Sequence, residues 1–232
     1  MAHGDPVRCG LRLTARPWQI AREYRKRDKR MDTITEKKAD TITVSAESVR
    51  ELLAGAITQA HTKEDLPALN SVKIYSESGR LYAVATDRYR LIEGSVESEG
   101  ELGETILRLA DIKRILDLLK AKSLDRMPVT INRVGDLVSV AVAGDSLTAR
   151  TWDCNYPPHA QLFQAGEPVA VDKITFNPSF FADYAKIEKL AGRKGSAGVT
   201  VSFYGERKPI GIHLNGEKVS WRALLMPMKS QA

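Results

Sequence analysis

The sequence predicts an α+β protein made of repeated strand–helix–strand units, with antiparallel sheets outside and helices on one face. Two observations carry this. A short apolar strand, an amphipathic helix and then two or three antiparallel strands occur three times, starting near residues 42, 106 and 174. Within each copy the apolar period changes from the three- and four-residue spacing of a helix to the alternation of a strand. One such unit leaves its helix face and sheet edges bare. Units side by side are therefore expected to share a continuous sheet with paired helices on one face.

The first unit opens with Ile42-Thr43-Val44, and Ser45 is suited to cap the helix that follows. The inner face of that helix is Val49, Leu52, Leu53, Ala56, Ile57 and Ala60. Strands around 72–75 and 81–85 come next, with a turn at Ser78-Gly79. The second unit opens with Ile106-Leu107. Its helix buries Leu109, Ile112, Ile115, Leu116 and Leu119. VTIN (129–132), a turn at Gly135-Asp136, LVSVAV (137–142), a turn at Gly144-Asp145 and a strand from Leu147 to Trp152 complete it. The third opens with Ile174-Thr175-Phe176. Asn177 is a good N-cap and Pro178 suits the first helical position. Phe180, Phe181, Tyr184, Ile187 and Ala191 face inward, and 192–198 breaks the helix. VTVSF (199–203), a strand over 209–214, a turn at Asn215-Gly216 and a last strand from Val219 to Leu225 follow.

Of 232 residues, 43% are hydrophobic, enough for a sizeable core, and no run is long enough to span a membrane. Two cysteines, Cys9 and Cys154, make neither a disulfide framework nor a zinc site and fit the cytoplasm. Residues 1–30 carry nine Lys/Arg and three Asp/Glu, so the whole net charge of +6 lies there and the rest of the chain is neutral. This leader has no apolar core for a secretory signal. It reads as a disordered extension ahead of a start at Met31, or as a basic arm for nucleic acid.

Within the neutral body, cations gather on the helices. Arg50 lies on the first, and Lys113, Arg114, Lys120 and Lys122 lie in or just after the second. Lys186, Lys189, Arg193 and Lys194 lie in or just after the third. Lysines on an exposed helix face serve solubility, or they track a phosphate backbone without reading sequence. Catalytic chemistry is hard to find. The four histidines lack metal-ligand spacing, and no phosphate-binding glycine motif is present. Asp87 has no second carboxylate or histidine at a recognisable offset, so an enzyme centred there is the weakest reading. No cofactor is implied. The stretch LYAVATDRYRL (81–91) reads as an apolar strand ending in a polar corner. That corner is either an ordinary hairpin or a rigid display of Thr86, Arg88, Tyr89 and Leu91 to a partner.

Three motifs in order carry a resemblance: Leu69-Asn70-Ser71-Val72 with LYAVATDRYRL, Trp152-Asp153-Cys154-Asn155-Tyr156-Pro157, and ITFNPSFFADYAKIEKL with a terminal Met226-Pro227-Met228. Together they resemble the bacterial DNA polymerase III beta subunit, the sliding clamp, over roughly 41–229. The resemblance implies the DNA-clamp fold and no enzyme activity. It divides the chain into a leader (1–40), a two-unit domain (41–154), a connector (155–172), a one-unit half-domain (173–229) and a tail (230–232). The family's first domain and the first half of its last domain have no counterpart, and its corner glycine-histidine is Arg88-Tyr89 here.

By the same resemblance, a pocket for partner peptides would take Leu69, Thr86, Arg88, Tyr89 and Leu91 from the corner region. Pro157 and Leu162 would come from the connector, and Asn177 and Phe180 from the third helix start. Leu224, Met226, Pro227 and Met228 would complete it. Double-stranded DNA would lie on Arg50, Lys113, Arg114, Lys120, Lys122, Lys186, Lys189 and Arg193. The implied partners are duplex DNA, a replicative DNA polymerase and other clamp-binding proteins. The alternative is a regulator that binds or mimics a host clamp without encircling DNA. The family ring has twelve units and this chain supplies three, so a homotetramer is expected, with a dimer or a mixed ring with another clamp as the competing assemblies.

Overall fold

In a computed structural model, residues 40–163, 166–190 and 198–228 are described. Residues 1–39 of the leader, Ala191, Arg193, Lys194 and the tail 230–232 lie outside them. The first unit runs β1 (Asp40–Ser45), α1 (Ala46–Ala56), a 3₁₀ turn (Ile57–Gln59), β2 (Ser71–Glu77), β3 (Arg80–Thr86) and β4 (Arg90–Glu97). After β5 (Glu99–Gly100), the second runs β6 (Thr105–Arg108), α2 (Leu109–Leu118), a 3₁₀ turn (Lys122–Leu124), β7 (Pro128–Val134), β8 (Leu137–Val142) and β9 (Asp145–Arg150). The connector holds a short helix, α3 (His159–Leu162). The third unit holds α4 (Pro178–Leu190), β10 (Thr200–Ser202), β11 (Ile210–Asn215) and β12 (Ser220–Leu225).

The strands form two antiparallel sheets, ordered β5-β1-β7-β8-β9 and β10-β11-β12-β4-β3-β2-β6. This corrects the expectation of one continuous sheet. The first two units exchange their opening strands. β1 pairs with β7 of the second unit, with Val44 opposite Val129, and β6 pairs with β2 of the first, with Leu107 opposite Val72. Each helix thus emerges from the other unit's sheet, and both sheets close on one core. Ile42, Val49, Leu52, Val72, Leu107, Ile112, Val129 and Val138 are fully buried in it.

The expected caps form: the Ser48 amide donates to Ser45 Oγ at 3.3 Å, and the Ser179 amide to Asn177 Oδ1 at 3.0 Å. Three local expectations are corrected. The β8–β9 turn is Ala143-Gly144, both at positive φ, so β9 begins at Asp145, not Leu147. Neither Asn215 nor Gly216 takes positive φ. Asn215 ends β11 opposite Ser220, and the loop is the four residues 216–219. Residues 174–176 are not a strand. The other units pair their opening strands with a sister unit, and the third has none in this chain.

The third unit is joined to the first instead. β12 pairs with β4 over six residues, from Ser220 opposite Ser95 to Leu225 opposite Arg90. On the helix side Trp221 fills a slot between α1 and β4. A Cβ on Gly55 or Gly94 would lie 2.3 Å from its ring, so both positions exclude any side chain. On the opposite side the connector lies across the sheet. Tyr156 packs with Val84, Leu91 and Leu224 in a second small core, and its hydroxyl donates to Val84 O at 2.9 Å.

Candidate partner-binding site and helix face

The corner between β3 and β4 is tied by its own side chains. Thr86 Oγ1 donates to Arg90 O at 2.7 Å and accepts from the Arg88 amide at 3.3 Å. Asp87 Oδ1 accepts from the amides of Tyr89 and Arg90, both at 3.1 Å, and Oδ2 accepts from Arg90 Nε at 2.8 Å. Both carboxylate oxygens therefore tie the corner down. Arg88 sits at φ 83°, a left-handed conformation that costs a side-chain-bearing residue roughly 1–2 kcal/mol.

Arg90 was not among the expected site residues, yet it links three elements. Its guanidinium donates to Asp87, to Asp183 Oδ2 of α4 at 2.5 Å and to Thr58 O after α1 at 3.1 Å. It also lies over the Phe180 ring, 4.5 Å from the centroid. Burial works against the charged guanidinium, but the two carboxylates outweigh it and raise its pKa. Burial also pushes Asp183 upward. Hydrogen bonds from Lys186 and Arg90 overcome it and hold the carboxyl below its usual range. A depressed carboxyl stabilises the fold above its unfolded pKa, and that contribution is lost as pH falls through the lower, folded value. The sequence signal was an acid at Asp183 between the inward-facing Phe180 and Tyr184.

The structure brings part of the expected pocket together. Thr86 is opposite Leu91, and Leu91 is opposite Leu224, giving a row across β3, β4 and β12. The Met226 amide donates to Tyr89 O at 2.8 Å, and Tyr89 stacks on Phe180 with centroids 6.0 Å apart. Leu91 and Leu224 are buried, covered by Tyr156 and flanked by Phe163. Pro157 is half-buried and Leu162 exposed in the connector. Leu69 is buried in the loop before β2 and belongs to neither apolar cluster. Asn177 is occupied as the α4 cap. Met226, Pro227 and Met228 also line a separate cleft of about 830 Å³ with residues 172–175, Glu206 and Arg207. Among the described residues, the exposed large apolar side chains include Tyr89, Leu162, Met226 and Met228, all four expected at the pocket.

Sequence reasoning also missed the polar cluster under the connector. Buried Glu93 of β4 accepts from Arg222 Nε at 2.6 Å and Tyr75 Oη at 3.1 Å, with His159 Nε2 at 3.4 Å. Burial pushes Glu93 upward, and these three partners more than reverse it. The cluster pins α3 to the sheet. No pattern announces it, because its four residues come from four separate segments.

The helix cations divide in two. Arg50 donates to Leu119 O at 3.0 Å and pairs with Asp125 at 2.6 Å, so it holds α1 to the end of α2. Arg114 pairs with Asp111 and Lys186 with Asp183. Lys113, Lys120, Lys122 and Lys189 are exposed, and no ion pair among the described residues involves them. Arg193 lies outside those residues. Among the described residues no group of His, Cys, Asp or Glu could hold a metal, and no helix is long and apolar enough to cross a membrane.

Exchanged-strand units closed on a helix layer, with a third unit added edge to edge, define a DNA-clamp fold. The family model for the central domain of the DNA polymerase III beta subunit matches residues 43–158, half of the chain, and the chain belongs to that family. Family and fold are those of non-enzymatic clamps. Among similar solved structures, a putative beta subunit from Eubacterium rectale has 12% identity and a TM-score of 0.69, over 83% of this chain and 66% of that one. The sliding clamp of Pseudomonas aeruginosa with ligand has 14% identity and a TM-score of 0.66, over 85% and 68%. The beta subunit of Thermotoga maritima has 18% identity and a TM-score of 0.65, over 82% and 65%. The chain thus spans about two thirds of the length of these clamps. A comparison with curated proteins gave no match.

Arg88→Gly should stabilise the protein by about 1 kcal/mol, because glycine adopts positive φ without steric cost and part of that gain is offset by its greater unfolded-state entropy. Urea unfolding of the two proteins, read at the midpoint, checks this.

Proposed function

We propose that the chain is a clamp-type DNA polymerase processivity factor of the cytoplasm. It holds duplex DNA against its helix layer and tethers a replicative polymerase and other clamp-binding proteins through a groove at the β4–β12 junction. The observation that carries the reading is the placement of the corner and the last strand side by side, with Tyr89 and Met226 exposed and joined by a backbone hydrogen bond at the end of that junction. Exposed methionine beside an aromatic ring suits partner peptides of varied sequence, since methionine repacks readily. Pro227 also prevents the strand from continuing past the groove.

The unpaired lysines carry the DNA side of the reading. Lys113, Lys120, Lys122 and Lys189 are exposed in α2, the segment after it and α4, and among the described residues no carboxylate pairs with them. Each phosphate contact contributes about 0.9 to the slope of log affinity against log salt. Replacing all four by Ala should flatten that slope by roughly 3 to 4 and weaken binding equally across duplex sequences. An unchanged slope removes this face from the DNA reading. It also favours a regulator that sits on another clamp.

The peptide side is tested with exposed residues only, since Leu91 and Leu224 belong to the core. Leu162→Ala with Met226→Ala should leave the unfolding midpoint in place and weaken a clamp-binding peptide by about 2 kcal/mol or more, roughly thirtyfold in Kd. Calorimetric titration reads it; equal affinity in the double variant would place the peptide elsewhere.

A further inference from the structure

We propose that two copies of this chain join through their third units. Each lends residues 174–176 to the other's β10, so that two half-domains complete one two-unit domain about a two-fold axis. The proposal rests on the fold and not on DNA or peptide binding.

The first two units show how a unit is completed. In each, the residue two positions ahead of the helix pairs with the apolar residue that opens the sister's first meander strand: Val44 with Val129, Leu107 with Val72. The pairing then runs back through Thr43 opposite Thr130 and Ile42 opposite Ile131. The third unit has both halves of this arrangement and neither is satisfied. Phe176 stands two positions ahead of α4, and Val199-Thr200-Val201 repeats the pattern of Val129-Thr130-Ile131. Yet 174–176 is no strand, and β10 is the outer strand of its sheet.

The packing shows the same gap. Ile42, Leu107, Val72, Val129 and Ile131 are fully buried or within 2% of it. Their third-unit equivalents Ile174, Phe176, Val199 and Val201 are only partly buried. One edge of this segment is held by the chain itself, where the Met228 amide donates to Thr175 O at 2.7 Å, and the cleft of about 830 Å³ lies between 172–175, 226–228, Glu206 and Arg207. The chain does reach the far end of β10, where the Val169 amide donates to Phe203 O at 2.8 Å. That contact lies two residues beyond Val201 and leaves 199–201 open. A second copy is the occupant that brings a donor segment and an acceptor edge together, in equal number and matched register. The isologous contact covers both exposed edges at once.

The register predicts Phe176 opposite the partner subunit's Val199, and Thr175 opposite the partner subunit's Thr200. Directly opposed residues in antiparallel strands lie about 4.5–5.5 Å apart at Cα, within reach of a disulfide. In a Cys9→Ser, Cys154→Ser background, the full chain carrying Thr175→Cys is mixed with the full chain carrying Thr200→Cys under mild oxidation. The expected result is a covalent dimer in the mixture and none from either variant alone. Sedimentation equilibrium of the native chain should give a dimer or a multiple of it, and Phe176→Asp should reduce it by this contact with its circular dichroism retained. A native monomer at all concentrations overturns the proposal. So does an oligomer whose cysteine pair does not cross-link, or cross-linking only to an added full-length clamp.

Discussion

The third unit depends on the junction between β4 and β12. Among the described residues its opening segment pairs with no strand, and its sheet is anchored where β12 meets the first unit. Two kinds of interaction act there, and their magnitudes assign them different roles. Trp221 lies in the slot left by Gly55 and Gly94, and truncating a buried tryptophan costs about 3–5 kcal/mol. The Arg90 pairs with Asp87 and Asp183 carry a desolvation penalty that nearly cancels their attraction. Stability therefore comes from the apolar slot and from the Tyr156 cluster on the other face. Arg90 fixes geometry: it sets the corner against the start of α4, because leaving either acid unpaired is costly.

That division leaves the junction fixed while Tyr89 and Met226 stay exposed beside it. The row Thr86, Leu91, Leu224 is held by strand pairing and sealed from one side by Tyr156. Tyr89 and Met226 stand at its rim, linked through one backbone hydrogen bond. Glu93 and Tyr75 contact His159 and Arg222 holds Glu93, so the connector that carries Leu162 is docked by polar as well as by apolar contact. On the helix layer a similar separation holds. Arg50 does structural work between α1 and α2, whereas Lys113, Lys120, Lys122 and Lys189 are exposed and make no ion pair among the described residues.

Much of the fold was legible because each unit repeats one period change. Val49, Leu52 and Leu53 on α1 and Leu109, Ile112 and Ile115 on α2 are buried where their spacing put them. The strand exchange was not legible, since β1 and β6 have the same local pattern whichever sheet they join. The strand expected at 174–176 failed for a related reason: local propensity is real there, but a strand needs a neighbour. At the site, the corner Thr86–Leu91 could be read from its own composition. Arg90's partner Asp183 lies over ninety residues away, and Arg50 read as a DNA contact because nothing local revealed Asp125. The glycine slot for Trp221 was equally hidden, as Gly55 and Gly94 look like ordinary interruptions of a helix and a strand.

The central claim is that the third unit is locked to the first, so that corner and last strand form one site. Native-state hydrogen exchange of the β4 and β12 amides tests it most directly. The account predicts that residues 220–225 and 90–97 exchange with the same free energy of opening and respond together to denaturant. Exchange of β12 through a separate, lower-energy opening while β4 stays protected would show that the third unit moves independently, and would contradict the account.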